Sequence, residues 1–462
     1  MRSHRPTTSL RRTRTADGRY VRSQFPHLIL IGPDRSTIRI VTLRLEARDE
    51  ARLAGAEGPA QQMATRVVTR LAAAMGADEL IDITGAHIDS CLYHGQAVLD
   101  FADRLADDGA RVVVPTTLNV SSLDLLHPEH ARGDPEEARA SRRLMERFEE
   151  MGCRPTWTCA PYQLEVRPGF GEQIAWAESN AIVFANSVLG ARTNRYGDFA
   201  DICCAVTGRA PAAGLHLDEH RRATIVIRLV GVSVELLERD VLYPVLGGLI
   251  GRLVGKSVPV VDGLAPGVSE DRLKALGAAS ASTGSVGMFH MVGSTPEAPT
   301  LEAALAGHAP VQEITVTADD LRAARDRLST TTDDDLRTVS LGTPHYSVNE
   351  IGRLVELLAD RRIADGVAFF VSTGRDVLHE VGLRGWANRL SDAGVTMVTD
   401  TCTYFTPIIQ DRTGTSMTDS AKWAYYAPGN LGLEVVFGST EDCVESAIVG
   451  RVVRDEGIWA DA

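Results

Sequence analysis

The sequence of 462 residues is poor in lysine and has no long apolar segment. Lys256, Lys274 and Lys422 are its only lysines, against 45 arginines. Such a bias is typical of codon composition, so the arginine count carries little functional information, whereas a retained lysine is more informative. The longest apolar runs, such as FPHLILIG, have the length of a strand, and a membrane helix needs roughly 18 residues. We therefore expect a protein that does not span a membrane.

Net positive charge is also lacking. The formal net charge is −13, whereas neutralising the phosphates of a nucleic acid needs a basic surface. This charge excludes nucleic acid as the main partner and leaves room for a local basic pocket that binds a small anion.

Common phosphate and nucleophile motifs are missing as well. No GxGxxG follows a first strand, and neither GxxxxGK[ST] nor GxSxG occurs, so nucleotide-binding and hydrolase templates find no support.

CxxC pairs are absent, although the chain has seven cysteines. An odd number of cysteines without a signal peptide argues against a disulfide framework and favours the reducing cytoplasm. Cys153, Cys203 and Cys204 lie on or beside predicted helices, where a free thiol packs as a small hydrophobic group. Cys91 lies in a predicted loop.

Residues 1–42 form an arginine-rich head, for which we predict disorder. Residues 1–40 carry nine arginines and only two acidic residues, scattered among Ser, Thr and Pro. A transit peptide finds little support there, because the segment has no amphipathic face.

From about residue 46 onward, short apolar strands alternate with helical patterns of 10–15 residues. This alternation predicts a parallel α/β architecture.

Four loops with polar or sulfur-containing side chains each follow an apolar strand. They are VPTTLNV, TWTCAPYQ, VSLGTPHYS and VTDTCTYFTP. Since parallel sheets bind ligands beyond the carboxyl ends of their strands, we expect the four loops to form one composite site. Cys159 and Cys402 share this strand-end position. From spacing alone each could be packing filler, a metal ligand, or a nucleophile activated by His345 or His87.

The segment from Gly171 to Arg209 is rich in small and polar residues. Its pattern predicts a closely packed helix that ends at Gly190. The following GARTNR motif contains Arg192, Asn194 and Arg195, whose guanidinium and amide groups are suited to binding a carboxylate or phosphate. Anion binding and plain packing both remain open for this motif.

Taken in order, several stretches resemble one protein family: AHIDSCLYHG, VPTTLN, TCAPYQ, GEQIAWAESNAIVFANSVLGARTNR, TGRAPAAGLHL, GTPHYS, TDTC and AKWAYYAPG. Together they are similar to the large-subunit region of the aconitase X family. The likeness runs from Leu43 to Arg451, and we assign residues 43–455 to a multi-lobed α/β catalytic region. The resemblance implies an aconitase-like fold and an iron–sulfur hydro-lyase. Such enzymes dehydrate cis-3-hydroxy-L-proline in bacteria or phosphomevalonate in archaea.

The same resemblance implies a partner. The family joins its large region to a small swivel domain, fused or encoded separately, which carries the serine taken as the catalytic base. This sequence has no matching segment for a swivel domain. We therefore expect a cytoplasmic heterodimer in which this chain is the large subunit and a small swivel-domain subunit supplies the serine.

The resemblance also implies a set of site residues. The cluster-ligand cysteines correspond to Cys159 and Cys402, but the third cysteine, found in a GCPH loop of archaeal members, is replaced by Thr343. Cys443 is the favoured substitute for that ligand, with Cys204 as another. The hydroxyproline dehydratases are associated with a 2Fe-2S cluster, which we expect in preference to 4Fe-4S. Substrate contacts fall on Ser90, Cys91, Leu92, Asn119, Val120, Glu178, Ser179 and Lys422.

Dehydration of a hydroxy acid gives these residues distinct roles. The reaction needs a base for the α-proton and an acid or Lewis acid for the departing hydroxide. We expect Lys422, Glu178 and Ser179 to be catalytic, and Arg192, Asn194 and Arg195 to help bind the substrate carboxylate. Glu178 could meet the cationic ring nitrogen of hydroxyproline. The expected reaction is conversion of cis-3-hydroxy-L-proline to Δ1-pyrroline-2-carboxylate. The alternatives are a phosphomevalonate dehydratase and a cluster-free binding subunit.

Overall fold

Three parallel β-sheets organise the chain. The computed structural model describes residues 28–31, 38–41 and 43–460. Most of the predicted disordered head, residues 1–42, lies outside this description. The described part of the head consists of two antiparallel strands, β1 (Leu28–Ile31) and β2 (Ile38–Val41). Within the described residues, no helix combines the length and the apolar character needed to cross a bilayer.

The first unit is built around a three-stranded parallel sheet in the order β5-β4-β6. A separate antiparallel pair, β3 with β7, lies in the same unit. The elements of this unit are β3 (Leu80–Asp82), β4 (Ala86–Ile88), β5 (Thr116–Leu118), β6 (Ala175–Trp176), β7 (Arg209–Pro211), α1 (Ala47–Leu53), α2 (Pro59–Met75), α3 (Gln96–Asp107), α4 (Pro135–Glu150), α5 (Ser179–Phe184) and α6 (Ala200–Thr207).

The second unit contains a four-stranded parallel sheet in the order β10-β9-β8-β11. Its longest helices, α8 and α9, pack against each other, and Gly247 and Gly251 permit their close approach because a Cβ atom there would collide with the backbone of α9. Its elements are β8 (Ile225–Leu229), β9 (Pro259–Asp262), β10 (His290–Met291), β11 (Gln312–Val316), α7 (Val234–Leu237), α8 (Leu242–Val254), α9 (Glu270–Thr283), α10 (Leu301–Ala304) and α11 (Ala318–Asp326).

The third unit contains a five-stranded parallel sheet in the order β14-β13-β12-β15-β16. The strand β12 is the longest in the described chain and includes both Thr343 and His345. The elements of this unit are β12 (Leu336–Tyr346), β13 (Ala368–Thr373), β14 (Val395–Val398), β15 (Thr415–Thr418), β16 (Glu434–Phe437), α12 (Val348–Leu358), α13 (Arg375–Leu383), α14 (Trp386–Ala393), α15 (Ala421–Leu431), α16 (Thr440–Val449) and α17 (Gly457–Ala460).

The predicted parallel α/β architecture is confirmed, and so are most predicted elements. The run DPEEARASRRLMERFEEMG predicts a helix capped by Asp134, and in α4 the Asp134 side chain accepts a hydrogen bond from the amide of Glu136 at 2.9 Å. The segment after α5 continues as one π-helical turn and ends at Gly190, which has a positive φ of 69°. These local signals are strong because each depends on a few neighbouring residues.

Two predicted elements are wrong in detail. The run ARVVVPTTLN predicts a strand that runs into a polar loop, but β5 covers Thr116–Leu118, in the part expected to be loop. The amides of Val112 and Val113 donate instead to the carbonyls of Met151 and Ala205, at 2.9 and 3.0 Å. The run VLHEVGLRGWANRLSDAG, residues 377–394, has the pattern of a single helix. The structure instead has two helices, α13 and α14, separated by Gly385 with a φ of 71°.

Candidate active site

The carboxyl ends of the first and third sheets face each other, and polar side chains fill the space between them. From the first sheet come Asp89 after β4, Asn119 after β5 and Glu178 after β6. From the third sheet come His345 at the end of β12, Cys402 after β14 and Lys422 after β15. This arrangement follows the general position of ligand sites in parallel sheets.

Cys159, His345 and Cys402 form a buried group of potential metal ligands. One ligand atom from each lies within 4.8 Å of the other two. Cys159 and Cys402 also pack with Val120 in a small apolar cluster, partly covered by Tyr404. All four predicted loops therefore meet at this point, and the expected convergence is confirmed. A Cys2His donor set with this spacing could hold a metal ion.

The His345 imidazole is held between two loops. One ring nitrogen, Nδ1, shares a hydrogen bond of 3.0 Å with the Thr158 hydroxyl, and Nε2 lies 3.3 Å from the Thr401 carbonyl oxygen. The His345 amide also donates to the Cys159 Sγ atom at 3.3 Å. Burial lowers the pKa of His345 to about 4, so its imidazole is neutral at physiological pH. A neutral imidazole is the form that binds metal ions.

The two thiols of this group ionise unequally. Burial opposes the thiolate of Cys159, but the Cys402 thiol and the Lys422 cation outweigh burial and lower the Cys159 pKa. The hydrogen bond with Cys159, together with burial, raises the pKa of Cys402 well above its usual value. Of the two coupled thiols, Cys159 is therefore the one that loses its proton more readily.

Lys422 and Glu178 form a buried ion pair beside the thiols. The Lys422 Nζ atom lies 2.5 Å from Glu178 Oε1, and the two side chains are 4% and 6% exposed. Burial works against the ammonium group, but the Glu178 charge outweighs it and raises the pKa of Lys422 well above its usual range. Lys422 is therefore a fixed cation and not a base at neutral pH.

The Glu178 carboxylate is held by its own helix. As the cap of α5, it accepts a hydrogen bond from the Ala181 amide at 2.8 Å and another from the Asn180 side chain. The Ser179 hydroxyl donates at 3.3 Å to Glu178 Oε1, the carboxylate oxygen that also pairs with Lys422. Asn180 also donates to the Cys159 carbonyl at 2.8 Å, which ties the ion pair to the cysteine loop.

Ser90 and Asp201 fix the loop after β4. The Asp201 carboxylate accepts hydrogen bonds from the amides of Asp89 and Ser90 at 2.8 and 3.0 Å, and from the Ser90 hydroxyl at 2.9 Å. Asp201 also accepts from the amide of Ile202 at 2.7 Å. The predicted contact residue Ser90 thus has its hydroxyl committed to this loop.

The neighbouring predicted contacts differ in how they face the site. The Cys91 thiol is buried and donates to main-chain carbonyls, including that of Ile88 at 3.3 Å, so it supports the loop. The Asn119 side chain donates to Asp89 and keeps a buried amide oxygen without a partner within residues 43–460. Val120 lines the thiol cluster, and Leu92 is partly exposed beside this loop.

The GARTNR motif is engaged with backbone and surface groups. Arg192 donates to the His216 carbonyl at 3.2 Å and pairs with Asp218. The Asn194 side chain donates to the Ala213 carbonyl at 2.8 Å, while Arg195 donates to the carbonyl of Val286 at 3.1 Å. Arg192 and Asn194 therefore join parts of the first unit to each other, and Arg195 reaches the second unit. None of these contacts involves the ion pair or the thiols.

Cys443 and Cys204 lie apart from the thiol cluster. The Cys443 thiol packs in the apolar core of the third unit beside Val444 and Ala447. Cys204 packs in the core of the first unit. Among the described residues, no group of three potential metal ligands includes either cysteine. Burial raises the pKa of both thiols, as expected for packed cysteines.

Lys274, the second buried lysine, forms a separate ion pair. Its ammonium group pairs with Glu350 and lies 3.3 Å from Asp271. A cavity of about 50 Å³ between this pair and Lys422 is lined in part by Thr343 and Tyr346. Lys274 therefore supports the end of β12 from behind the site.

The sequence patterns did not identify two residues of the site in the positions that the structure gives them. His345 was considered only as a base for a nucleophilic cysteine, and Asp89 was not considered. The signal for His345 was its place two residues after Thr343 in a strand-end loop. For Asp89 the signal was an acidic residue directly after a buried strand and directly before the predicted contact Ser90.

Sequence profiles identify the family. Those of the aconitase X first, second and third domains match residues 42–219, 223–326 and 336–449. The chain belongs to the aconitase X family. The three matched domains coincide with the three units defined by the sheets, and the predicted family and fold are confirmed.

Curated relatives of this aconitase X chain are dehydratases, which are hydro-lyases, as predicted. It is 45% identical over 425 residues to the cis-3-hydroxy-L-proline dehydratase of Pseudomonas aeruginosa, covering 90% of this chain and 72% of the relative. Identity to the enzyme of that name from Hypocrea jecorina is 43% over 417 residues, covering 89% and 69%. The phosphomevalonate dehydratase large subunit of Methanothermobacter thermautotrophicus is 36% identical over 395 residues, covering 85% and 96%.

A solved structure supports the same architecture. The crystal structure of holo-form aconitase X from Thermococcus kodakaraensis superposes with a TM-score of 0.79 at 32% sequence identity. The match covers 88% of this aconitase X chain and 100% of the solved chain. The arrangement of the three sheets is therefore that of the family.

Proposed function

We propose that this aconitase X chain is the large subunit of an iron–sulfur hydro-lyase that converts cis-3-hydroxy-L-proline to Δ1-pyrroline-2-carboxylate. The observation that carries the proposal is the buried Cys159–His345–Cys402 group beside the Lys422–Glu178 ion pair. The higher identity to the hydroxyproline dehydratases favours this substrate over phosphomevalonate. Residues 43–455 are the proposed catalytic region.

The donor set fits an iron–sulfur cluster. In this proposal Cys159 and Cys402 supply thiolates, and His345 supplies the third donor in place of the cysteine missing at Thr343. To do so, one His345 ring nitrogen exchanges its contact with the Thr158 hydroxyl or the Thr401 carbonyl for the metal. The Thr343 hydroxyl is buried without a hydrogen-bond partner within residues 43–460, so it does not hold the His345 loop in place. Mixed thiolate and imidazole ligation is known for 2Fe-2S centres, which supports the smaller cluster. When bound, a cluster with an open iron position would act as the Lewis acid for the substrate hydroxyl.

Lys422 binds and polarises the substrate carboxylate in this proposal. Removal of the α-proton places negative charge on that carboxylate, and a fixed buried cation stabilises such charge more strongly than a solvated one. Glu178 keeps Lys422 protonated and oriented, and the Ser179 hydroxyl and Asn180 amide hold Glu178. The amides after Ser90 can add donors to the same carboxylate.

A small swivel-domain subunit completes the proposed enzyme and supplies the catalytic serine. Supporting this, the archaeal relatives are named large subunits, and this chain covers 96% of the M. thermautotrophicus one. All seven cysteines are free, which supports a reducing cytoplasm as the location of the heterodimer.

Phosphomevalonate dehydration is the second candidate, because this chain covers 96% and 99% of two large subunits of that name. The substrate that the enzyme turns over distinguishes the two candidates. The chain is purified anaerobically with its small partner, iron and sulfide are quantified, and both substrates are assayed. We expect a coloured protein that turns over only cis-3-hydroxy-L-proline. Turnover of 5-phosphomevalonate would establish the second candidate, and iron-free, inactive protein after anaerobic reconstitution would exclude both.

A further inference from the structure

Asp89 occupies the centre of the site at the end of the middle strand of the first sheet. The register of β4 with β5 pairs Ile88 with Leu118, so the next residues, Asp89 and Asn119, are level. On the other side His87 pairs with Trp176, so Asp89 is level with Glu178. Residues level in adjacent parallel strands direct their side chains to the same face. Asp89 therefore lies between Asn119 and Glu178.

The Asp89 carboxylate, unlike the other two carboxylates beside it, has no strong set of partners. Glu178 is paired with Lys422 and capped by its helix, and Asp201 is saturated by amides and a hydroxyl. Asp89 accepts a hydrogen bond from the Asn119 side chain. No cationic side chain of residues 43–460 lies within ion-pair distance of it. Asp89 is partly exposed as a residue.

The surroundings of Asp89 disfavour its charge. Burial, followed by the negative charges of Glu178 and Asp198, raises the pKa of Asp89 to about 7, and Asp201 acts in the same direction. A bound cation would relieve this repulsion, since an opposite charge within a few ångströms favours the ionised form. The site thus holds a carboxylate for which the described residues provide no cationic partner.

We propose that Asp89 binds the ring ammonium of the substrate and thereby selects a cyclic amino acid over a hydroxy acid without an amine. This inference rests on the proposed function and names the group that recognises the nitrogen. It assigns to Asp89 the role that sequence reasoning gave to Glu178, because both Glu178 oxygens already have partners. Lys422 and Asp89 then bind the two oppositely charged groups of one zwitterion.

Two ligands of similar shape test the role of Asp89. L-Proline carries a cationic ring nitrogen, and (S)-tetrahydrofuran-2-carboxylate carries a neutral ring oxygen in its place. Their dissociation constants are measured by calorimetry on the assembled, iron-loaded enzyme, for the wild type, Asp89→Asn and Asp198→Asn. A charge-assisted hydrogen bond predicts a preference of wild type for L-proline on the order of 10- to 100-fold.

We expect Asp89→Asn to reduce this preference to about twofold or less, mainly by weakening L-proline binding, as loss of the charged partner implies. Asp198→Asn removes a nearby charge without removing the proposed contact and should keep the preference. An unchanged preference in Asp89→Asn would overturn the inference, and so would equal weakening of both ligands, which indicates a merely structural role. If wild type binds neither ligand and does not turn over cis-3-hydroxy-L-proline, the proposed function itself fails.

Discussion

The Lys422 Nζ atom lies 2.5 Å from the Glu178 Oε1 atom, although 244 residues separate the two along the chain. Both side chains are almost fully buried. Removing one member of such a pair leaves an uncompensated charge, which costs more than the pair contributes as a whole. We therefore expect Lys422→Met to lower the free energy of unfolding by about 3–5 kcal/mol, measured by urea denaturation.

The double variant Lys422→Met/Glu178→Gln distinguishes charge from packing. Its neutral amide can still accept the hydrogen bond from the Ala181 amide, so most of the lost stability should return. Turnover should stay abolished, because the cation for the substrate carboxylate is gone. A double variant as unstable as Lys422→Met would show that the loss arises from packing and not from the buried charge.

The donor group gives a second prediction, with Cys443 as a matched control. We expect Cys402→Ala to lose most bound iron after anaerobic reconstitution, because its thiol is one of the three buried donors. Cys443→Ala should retain iron, since Cys443 packs in an apolar core. Iron and acid-labile sulfide per chain are the measurements. Full iron in Cys402→Ala would favour packing for Cys402, and iron loss in Cys443→Ala alone would support the prediction made from sequence.

The sequence predicted the convergence of the site better than the contacts within it. Four strand-end loops could be placed together because parallel strands end at a common edge, and Cys159, Cys402 and Val120 do meet there. The motif GARTNR looked equally suited to an anion from its composition. Its side chains bond instead to His216, Ala213 and Val286, partners that become neighbours only on folding.

The same limit explains the two missed residues. His345 follows a threonine where a cysteine was expected, and its approach to both thiols depends on how β12 and β14 pack against the first unit. Among residues 43–460 Asp89 has no ion-pair partner, whereas the neighbouring Glu178 is paired with Lys422 from the third unit. Sequence patterns identify strands and caps, whereas the distribution of charges among distant partners is decided by tertiary packing.

His345 gives a third prediction, which is spectroscopic. Imidazole ligation raises the reduction potential of a 2Fe-2S centre relative to thiolate ligation. We expect His345→Cys to keep a bound cluster with a lower potential and an altered electron paramagnetic resonance spectrum. His216→Ala, which removes another buried imidazole bonded to Tyr196, should leave both unchanged. An identical potential and spectrum in His345→Cys would show that His345 is not a ligand.

The fourth prediction concerns pH. The Asp89 pKa is raised to about 7 by burial and by the charges of Glu178 at the cap of α5, Asp198 before α6 and Asp201 on α6. Only the carboxylate attracts an ammonium group, so protons compete with the substrate as the pH falls below about 7. The Michaelis constant for cis-3-hydroxy-L-proline should rise by about tenfold per pH unit there and level off above pH 8. In Asp89→Asn the Michaelis constant should be high at all pH values and show no such slope. Asp198→Asn should keep the slope and shift it to lower pH, because one repulsive charge is removed. A slope that persists unchanged in Asp89→Asn would assign the titration to another group.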